Sequence, residues 1–112
     1  MRRPWVKDDG QAVVLDLHGA LIRDAIILIR RTLMVCVERG RSSVKIVHGY
    51  STSVDPRETA SIRDELYKLL EEGSLTEVQS HYRFDGSTIL ALGHTGTTDR
   101  QRITMRDITG PR

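Results

Sequence analysis

Two short, mostly apolar runs, each of which ends in a histidine followed by a glycine, most strongly constrain how this chain can fold. The runs cover residues 12–18 and 43–48, and Gly19 and Gly49 follow them. Nearly continuous, β-branched apolar runs are typical of strands covered on both faces, as in a parallel sheet. Between them, residues 21–39 repeat apolar side chains at spacings of three and four, which predicts an amphipathic helix. Strand, helix and strand in this order predict a right-handed crossover between parallel strands.

The second half of the chain predicts one more helix and a hairpin. Asp55 is predicted as an N-cap, because Pro56 and Glu58 follow it at the spacing of a helix start. After this helix, residues 76–84 and 87–92 flank an Asp-Gly pair, a strong hairpin signal. The predicted fold class is α/β: a two-layer β-α-β-α-β-β sandwich with two helices and a mixed four-stranded sheet. Its first three strands run parallel and the fourth antiparallel.

The chain of 112 residues has room for one compact domain, which we place at residues 12–93. Residues 1–11 are predicted as an N-terminal arm. Residues 94–112 are predicted as a basic, weakly ordered tail with one short strand near 102–105. A single cysteine excludes a disulfide framework and a cysteine-based zinc site. No apolar run is long enough to cross a bilayer or to direct export, so we expect a cytoplasmic protein without a membrane partner.

The charge of the chain is weakly basic, with a formal net charge of +2. Fourteen of the seventeen basic residues are arginine, and the basic excess lies at the two ends. The planar guanidinium suits phosphates and base edges, although the total charge is far below that of a histone-like protein. Composition therefore favours nucleic acid as a partner only modestly.

The candidate chemistry lies where the two predicted parallel strands end, because ligands bind at that edge of such sheets. Asp16 and His18 are two residues apart in a strand and share one face. Together with His48 they could orient a water and protonate a leaving oxygen, or hold a divalent metal ion. Each of them also has a structural interpretation, such as Asp16 capping the following turn. The residues alone leave these alternatives open.

The two motifs carry a family resemblance. LDLHG at 15–19, IVHGY at 46–50 and a helix containing Ile62 and Arg63 resemble the Smr domain, the small MutS-related family, over residues 12–93. The resemblance implies a fold similar to the C-terminal domain of translation initiation factor three. It also implies binding of DNA or RNA, in branched, structured or ribosome-associated form. Many members are endonucleases that nick or cleave with little sequence preference.

The resemblance also implies roles for individual residues. Three match positions implicated in cleavage or in the second motif: Asp16, His18 and His48. Others match or adjoin the nucleic-acid-binding side: Gly19, Gly49, Tyr50, Ser51, Thr52, Ser53, Arg63 and Arg83. The chain departs from the family after Tyr50, where further glycines are expected. Hydroxyls can still contact phosphate there, but the loss of glycine favours an alternative, a non-catalytic binding module.

Several other side chains receive narrower predictions. Tyr50 either stacks on a base or packs over the second helix. Trp5 is predicted to fold back onto the core. His81 is predicted to be structural or superficial, and His94 to lie outside the site. Ile27 and Met34 share a helix face away from the core stripe, so either they form an exposed contact for a weak homo-oligomer or the arm around Trp5 covers them.

Overall fold

A single mixed sheet with helices on one face forms the described part of the protein. The computed structural model describes residues 3–49, 61–93 and 99–110. The strands are β1 (Trp5–Asp8), β2 (Ala12–Asp16), β3 (Ser43–Val47), β4 (Val78–Arg83) and β5 (Ser87–Leu92). The helices are α1 (Ile22–Glu38), α2 (Ile62–Glu71) and α3 (Met105–Thr109). The predicted succession of two crossovers and a hairpin is present, with one strand added before it and one helix after it.

The sheet has five described strands in the order β1-β2-β3-β5-β4, and not the four that were predicted. β2 and β3 are parallel, and every other neighbouring pair is antiparallel. β4 therefore runs in the same direction as β2 and β3, and β5 runs against them, as predicted. The return strand of the hairpin lies between β3 and β4. This order places the ends of β2 and β3 beside the turn of the hairpin.

Side chains alternate between the two faces of the sheet along each strand. One face is covered by the helices, and none of the described helices lies on the other. Val13 and Leu15 of β2 and Val44 and Ile46 of β3 are fully buried against α1. Leu90 of β5 pairs with Val44 and continues this core. The intervening residues of each strand point to the other face. Because α2 and α3 both pack against α1, the three helices share one side of the sheet.

Residues 5–8 form an edge strand, which corrects the prediction of an arm. β1 pairs antiparallel with β2, with Val6 opposite Leu15 on the core face. Trp5 and Lys7 point to the other face and are exposed. The prediction that Trp5 folds back onto the core is therefore wrong, because alternation gives the core position to Val6.

The described part of the predicted tail, residues 99–110, is ordered by a short helix. Thr104 caps α3, and its side chain and that of Asp107 exchange hydrogen bonds with each other's backbone N–H in a capping box. Ile103 and Ile108 are buried in the core cluster. The prediction of a weakly ordered tail with a short strand is wrong here, because these two isoleucines bury apolar surface against the domain.

A buried ion pair attaches both terminal segments to the domain. The Arg41 side chain is fully buried, and its Nε and Nη2 donate to the two carboxylate oxygens of Asp8 at 2.8 Å each. Its remaining N–H groups reach the carbonyl oxygens of Arg39, Asp99 and Gln101. Asp8 also accepts from the backbone N–H of Ile103 at 2.7 Å. One guanidinium thus joins β1, the start of β3 and the segment before α3.

The apolar faces of α1 and α2 pack into the core as predicted, but α2 begins later in the chain than predicted. Ser61 is the N-cap of α2 and forms a capping box with Asp64. The predicted cap at Asp55 lies outside the described residues.

In α1, Cys36 is fully buried, and burial raises the pKa of its thiol to about 12. It is therefore a small, unreactive core side chain, as predicted.

Two further expectations concern the surface. Ile27 and Met34 are 47% and 42% exposed, and Trp5 lies on the opposite side of the sheet from α1, so the arm does not cover them. A contact between copies through these two side chains stays a proposal. Among the described residues, no helix has the length and apolar character that a membrane span requires.

Candidate functional site

Asp16 and His18 form a hydrogen-bonded carboxylate–imidazole pair at the end of β2. Asp16 Oδ1 accepts from the backbone N–H of His18 at 2.9 Å and is also hydrogen-bonded to His18 Nδ1. Because the carboxylate accepts, Nδ1–H is the donor and Nε2 is left as the basic nitrogen of the neutral ring. The Asp16 side chain is 11% exposed and that of His18 is 39% exposed. A largely buried carboxylate thus orients an accessible imidazole.

The turn that holds this pair depends on the glycine after it. Gly19 has a φ of +83°, a left-handed conformation that L side chains rarely adopt. The Asp16 carboxylate that binds the His18 backbone N–H forms a local turn of the type Asp favours. The spacing Asp-x-His-Gly therefore places the two side chains together without help from distant residues.

A cleft of about 390 Å³ lies beside the pair on the face without described helices. Arg3, Trp5, Asp16 and His18 line it. Trp5 is directly opposite Asp16 in the β1–β2 pairing, which explains its position in the cleft wall. Sequence reasoning missed Arg3 and Trp5 as site residues, because only the pairing of β1 brings them there.

His48 lies at the same edge of the sheet but turns to the helix-covered face. Its Nδ1–H donates to the Gly49 carbonyl at 2.7 Å, and its Nε2 is 2.9 Å from Thr88 Oγ1. Thr88 is fully buried and pairs with Ile46, whose side chain points into the core. With Nδ1 protonated, the neutral ring accepts from the Thr88 hydroxyl. The structure thus brings Asp16 and His18 together and separates His48 from them.

His48 belongs to a second group of side chains, formed with α2 and β4. The edge of its ring meets Tyr67 with centroids 6.2 Å apart. The Arg83 guanidinium lies over the same tyrosine at 3.9 Å from the ring centroid and reaches Glu71 at 3.5 Å. Arg63 donates to the Asp85 carbonyl at 3.3 Å. Both arginines that were predicted for the nucleic-acid-binding side therefore lie near this edge. Tyr67 lies there too, but the sequence did not indicate this, because Tyr67 stands among the leucines of α2.

The model of the Smr domain matches residues 15–88. The chain belongs to the Smr domain family. No curated protein and no solved structure matches it. The matched part begins within β2 and ends within β5, so β1 and α3 lie outside it.

The second Smr motif is held by the hairpin turn. Gly49 has a φ of +77°, and its N–H donates to the Gly86 carbonyl at 3.0 Å. The His48 N–H donates to the same carbonyl at 3.2 Å. The N–H of Gly49 is therefore already hydrogen-bonded within the protein, to the turn between β4 and β5.

Five residues named in the sequence predictions lie outside the described part of this Smr protein: Tyr50, Ser51, Thr52, Ser53 and His94. A divalent metal ion was one alternative for the Asp and His side chains. Within residues 3–49, 61–93 and 99–110, the structure shows no cluster of three or more His, Cys, Asp and Glu side chains suited to a metal.

The environment of His48 predicts a pH-dependent stability. Burial is the main cause of its lowered pKa, and the nearby Arg63 charge lowers it further, against the hydrogen bond to Gly49, which raises it. The unfolded chain therefore binds this proton first as the pH falls below the ordinary value of 6.5. The stability that neutral His48 contributes is complete above that pH and is lost below it.

We expect the free energy of unfolding of the wild type to fall between about pH 7 and pH 5 more steeply than that of His48→Gln. Urea denaturation at a series of pH values measures both slopes. The two proteins are otherwise identical, so the difference between the slopes isolates His48. Parallel slopes would show that this ring titrates alike in the folded and unfolded chain.

Proposed function

We propose that this Smr protein binds DNA or RNA and cleaves phosphodiester bonds with the Asp16–His18 pair. The observation that carries the proposal is the orientation of the imidazole. Asp16 holds Nδ1, and His18 is accessible beside an open cleft, with Nε2 as the basic nitrogen of its ring. An imidazole held by a carboxylate is a common arrangement for a general base.

The proposed step is hydrolysis. His18 Nε2 takes a proton from a water as the water oxygen attacks phosphorus, and the ester P–O bond breaks. The leaving oxygen gains a proton from solvent or from the protonated imidazole. Arg3 in the cleft wall supplies a cation for the phosphate oxygens. Asp16 keeps the imidazole in the tautomer with Nε2 unprotonated and stabilises the imidazolium that forms.

We propose a supporting role for His48 and its neighbours. Both ring nitrogens of His48 already have partners within the protein, which supports a role in fixing the second motif and not in proton transfer. Arg63 and Arg83 lie at the same edge and are proposed to hold flanking phosphates. Arg83 is already fixed over Tyr67, so little side-chain entropy remains to be lost on binding.

One experiment tests this function directly. Pure protein is incubated with supercoiled plasmid, branched DNA and structured RNA, with and without EDTA, and binding is measured on the same substrates. We expect nicked or shortened products from the wild type. Asp16→Asn, purified identically, should bind equally and give no product, which excludes a contaminating nuclease. Cleavage by Asp16→Asn at the wild-type rate would overturn the assignment.

A non-catalytic binding module is the second candidate, and one observation favours it. The N–H of Gly49, which a phosphate could have used, donates instead to Gly86. Binding of the same substrates without any product, in the presence or absence of added divalent metal, would select this candidate. The protein would then still bind nucleic acid but would not hydrolyse it.

A further inference from the structure

The face of the sheet opposite the described helices carries exposed aromatic and lysine side chains. Strand pairing aligns the residues of this face in two rows that run across the strands, and all are at least partly exposed except Asp16 and Ser87, which are buried. One row consists of Lys7, Val14, Lys45, Ile89 and Tyr82. The other consists of Trp5, Asp16, Val47 and Ser87. Phe84 donates its N–H to the Ser87 carbonyl at 2.9 Å and extends the second row.

Aromatic side chains stand at both edges of this face. Trp5 on β1 is 46% exposed, and Tyr82 and Phe84 at the opposite edge are 56% and 54% exposed. The two edges are four strand spacings apart, or about 19 Å. The other large apolar side chains that are exposed in the described chain lie at or within α1 and are aliphatic. Exposed rings are therefore concentrated on this one face.

The charge between the rings is positive. Lys7 and Lys45 both pair with Val14 and are exposed on either side of it. They are two of the three lysines of the chain. Asp16 is the one carboxylate in the two rows, and it is hydrogen-bonded to His18. Aromatic rings can stack on bases, and ammonium groups can bind phosphates. This face is therefore complementary to a nucleic-acid strand.

We propose that this face binds single-stranded nucleic acid, with bases stacked on Trp5 and on Tyr82 or Phe84 and phosphates near Lys7 and Lys45. Unpaired bases stack on aromatic side chains, whereas the bases of a duplex are covered by their neighbours. The inference rests on the proposed function and names its substrate class. A strand that crosses the face passes Asp16, which lies directly beside Trp5. The preferred cleavage site is then an unpaired segment.

Trp5 reports binding directly, because it is the single tryptophan of the chain. The wild type is titrated with an oligodeoxythymidylate of about ten nucleotides and with a duplex of the same length. We expect the single strand to quench the fluorescence and to bind at least about tenfold more tightly than the duplex. Tyr82→Ala/Phe84→Ala should weaken binding of the single strand by at least about fivefold, because each lost stack costs roughly 1–3 kcal/mol.

The lysines have a separate readout. Lys7→Ala/Lys45→Ala should make the affinity less dependent on salt, with the slope of log K against log salt reduced by about 0.7 for each lost phosphate contact. Lys68→Ala is the matched control, since Lys68 is the remaining lysine, exposed on α2. Leu21→Ala, 72% exposed before α1, is the control for loss of apolar surface. Both controls should bind as the wild type does, and thermal unfolding verifies that every variant is folded.

The outcomes separate this inference from the proposed hydrolysis. Equal affinity for duplex and single strand, or wild-type binding by Tyr82→Ala/Phe84→Ala, would overturn the inference even if Asp16→Asn abolishes cleavage. Weakened binding by Tyr82→Ala/Phe84→Ala would support the inference even if Asp16→Asn cleaves normally. In that case only the proposed hydrolysis by the Asp16–His18 pair would be wrong. Failure of the wild type to bind any nucleic acid would overturn both.

Discussion

Arg41→Met should lower the free energy of unfolding by about 3–5 kcal/mol, the usual cost of removing one partner from a buried ion pair. Methionine keeps most of the volume of the side chain, so the loss reports the charge and its hydrogen bonds. Both partners are completely buried, and Asp8 would be left without its guanidinium. The carbonyl oxygens of Asp99 and Gln101 would lose donors at the same time. Urea denaturation at neutral pH measures the difference.

A neighbouring arginine provides the control for this prediction. Arg39 also reaches the segment before α3 and pairs with Asp107 at 3.1 Å, but both side chains are partly exposed. Arg39→Met should therefore cost about 1 kcal/mol or less. Equal losses in the two variants would contradict the special role of Arg41. The double variant Asp8→Leu/Arg41→Met should recover much of the stability, because it leaves no unpaired buried charge.

The same ion pair predicts sensitivity to acid. Burial alone would raise the pKa of Asp8, but the hydrogen bonds from Arg41, Ile103 and Gly10 lower it below the ordinary value of 3.8. The stabilisation by ionised Asp8 is thus complete above that pH and is lost as the pH falls through the lower, folded value. Fraying of β1 and of the segment around Ile103 should accompany this loss.

The central elements of the fold could be predicted because their signals are local and long. The runs that became β2 and β3, and the stripe that became α1, each follow one period over several residues. β1 has only four residues, two of them charged, and its place depends on pairing with β2. The partner of Asp8 is 33 residues away. No periodicity in residues 1–11 reveals such a contact.

The candidate site shows the same division between local and distant causes. Asp16 and His18 are two residues apart in the chain, so their spacing was sufficient to predict that they meet. The direction of His48 is decided by Thr88 and Tyr67, which belong to β5 and α2. Two equivalent His-Gly pairs in the sequence therefore point to opposite faces of the sheet. The repeated motif predicted correctly that both histidines lie at this edge of the sheet, but it could not predict the face to which each side chain points.

The two histidines should consequently differ in their effect on cleavage. Removing a positioned general base typically costs about 10²–10⁴-fold in rate, and we expect a loss of this size for His18→Ala. His48→Gln keeps a side chain that can hydrogen-bond to Thr88, and it should cost less than about tenfold at pH 8. Single-turnover cleavage of a substrate that the wild type cuts measures both rates, and dissociation constants measured beside them separate binding from chemistry.

Chemical rescue distinguishes a missing base from a damaged fold. Added imidazole can enter the open cleft beside Asp16 and replace the His18 ring, so it should restore part of the rate of His18→Ala. It should not affect His48→Gln, since that ring is half-buried between β5 and α2. A large loss in His48→Gln with a small one in His18→Ala would reverse the assignment and place proton transfer on the helix-covered face. The pair at the end of β2 would then serve only to hold its turn.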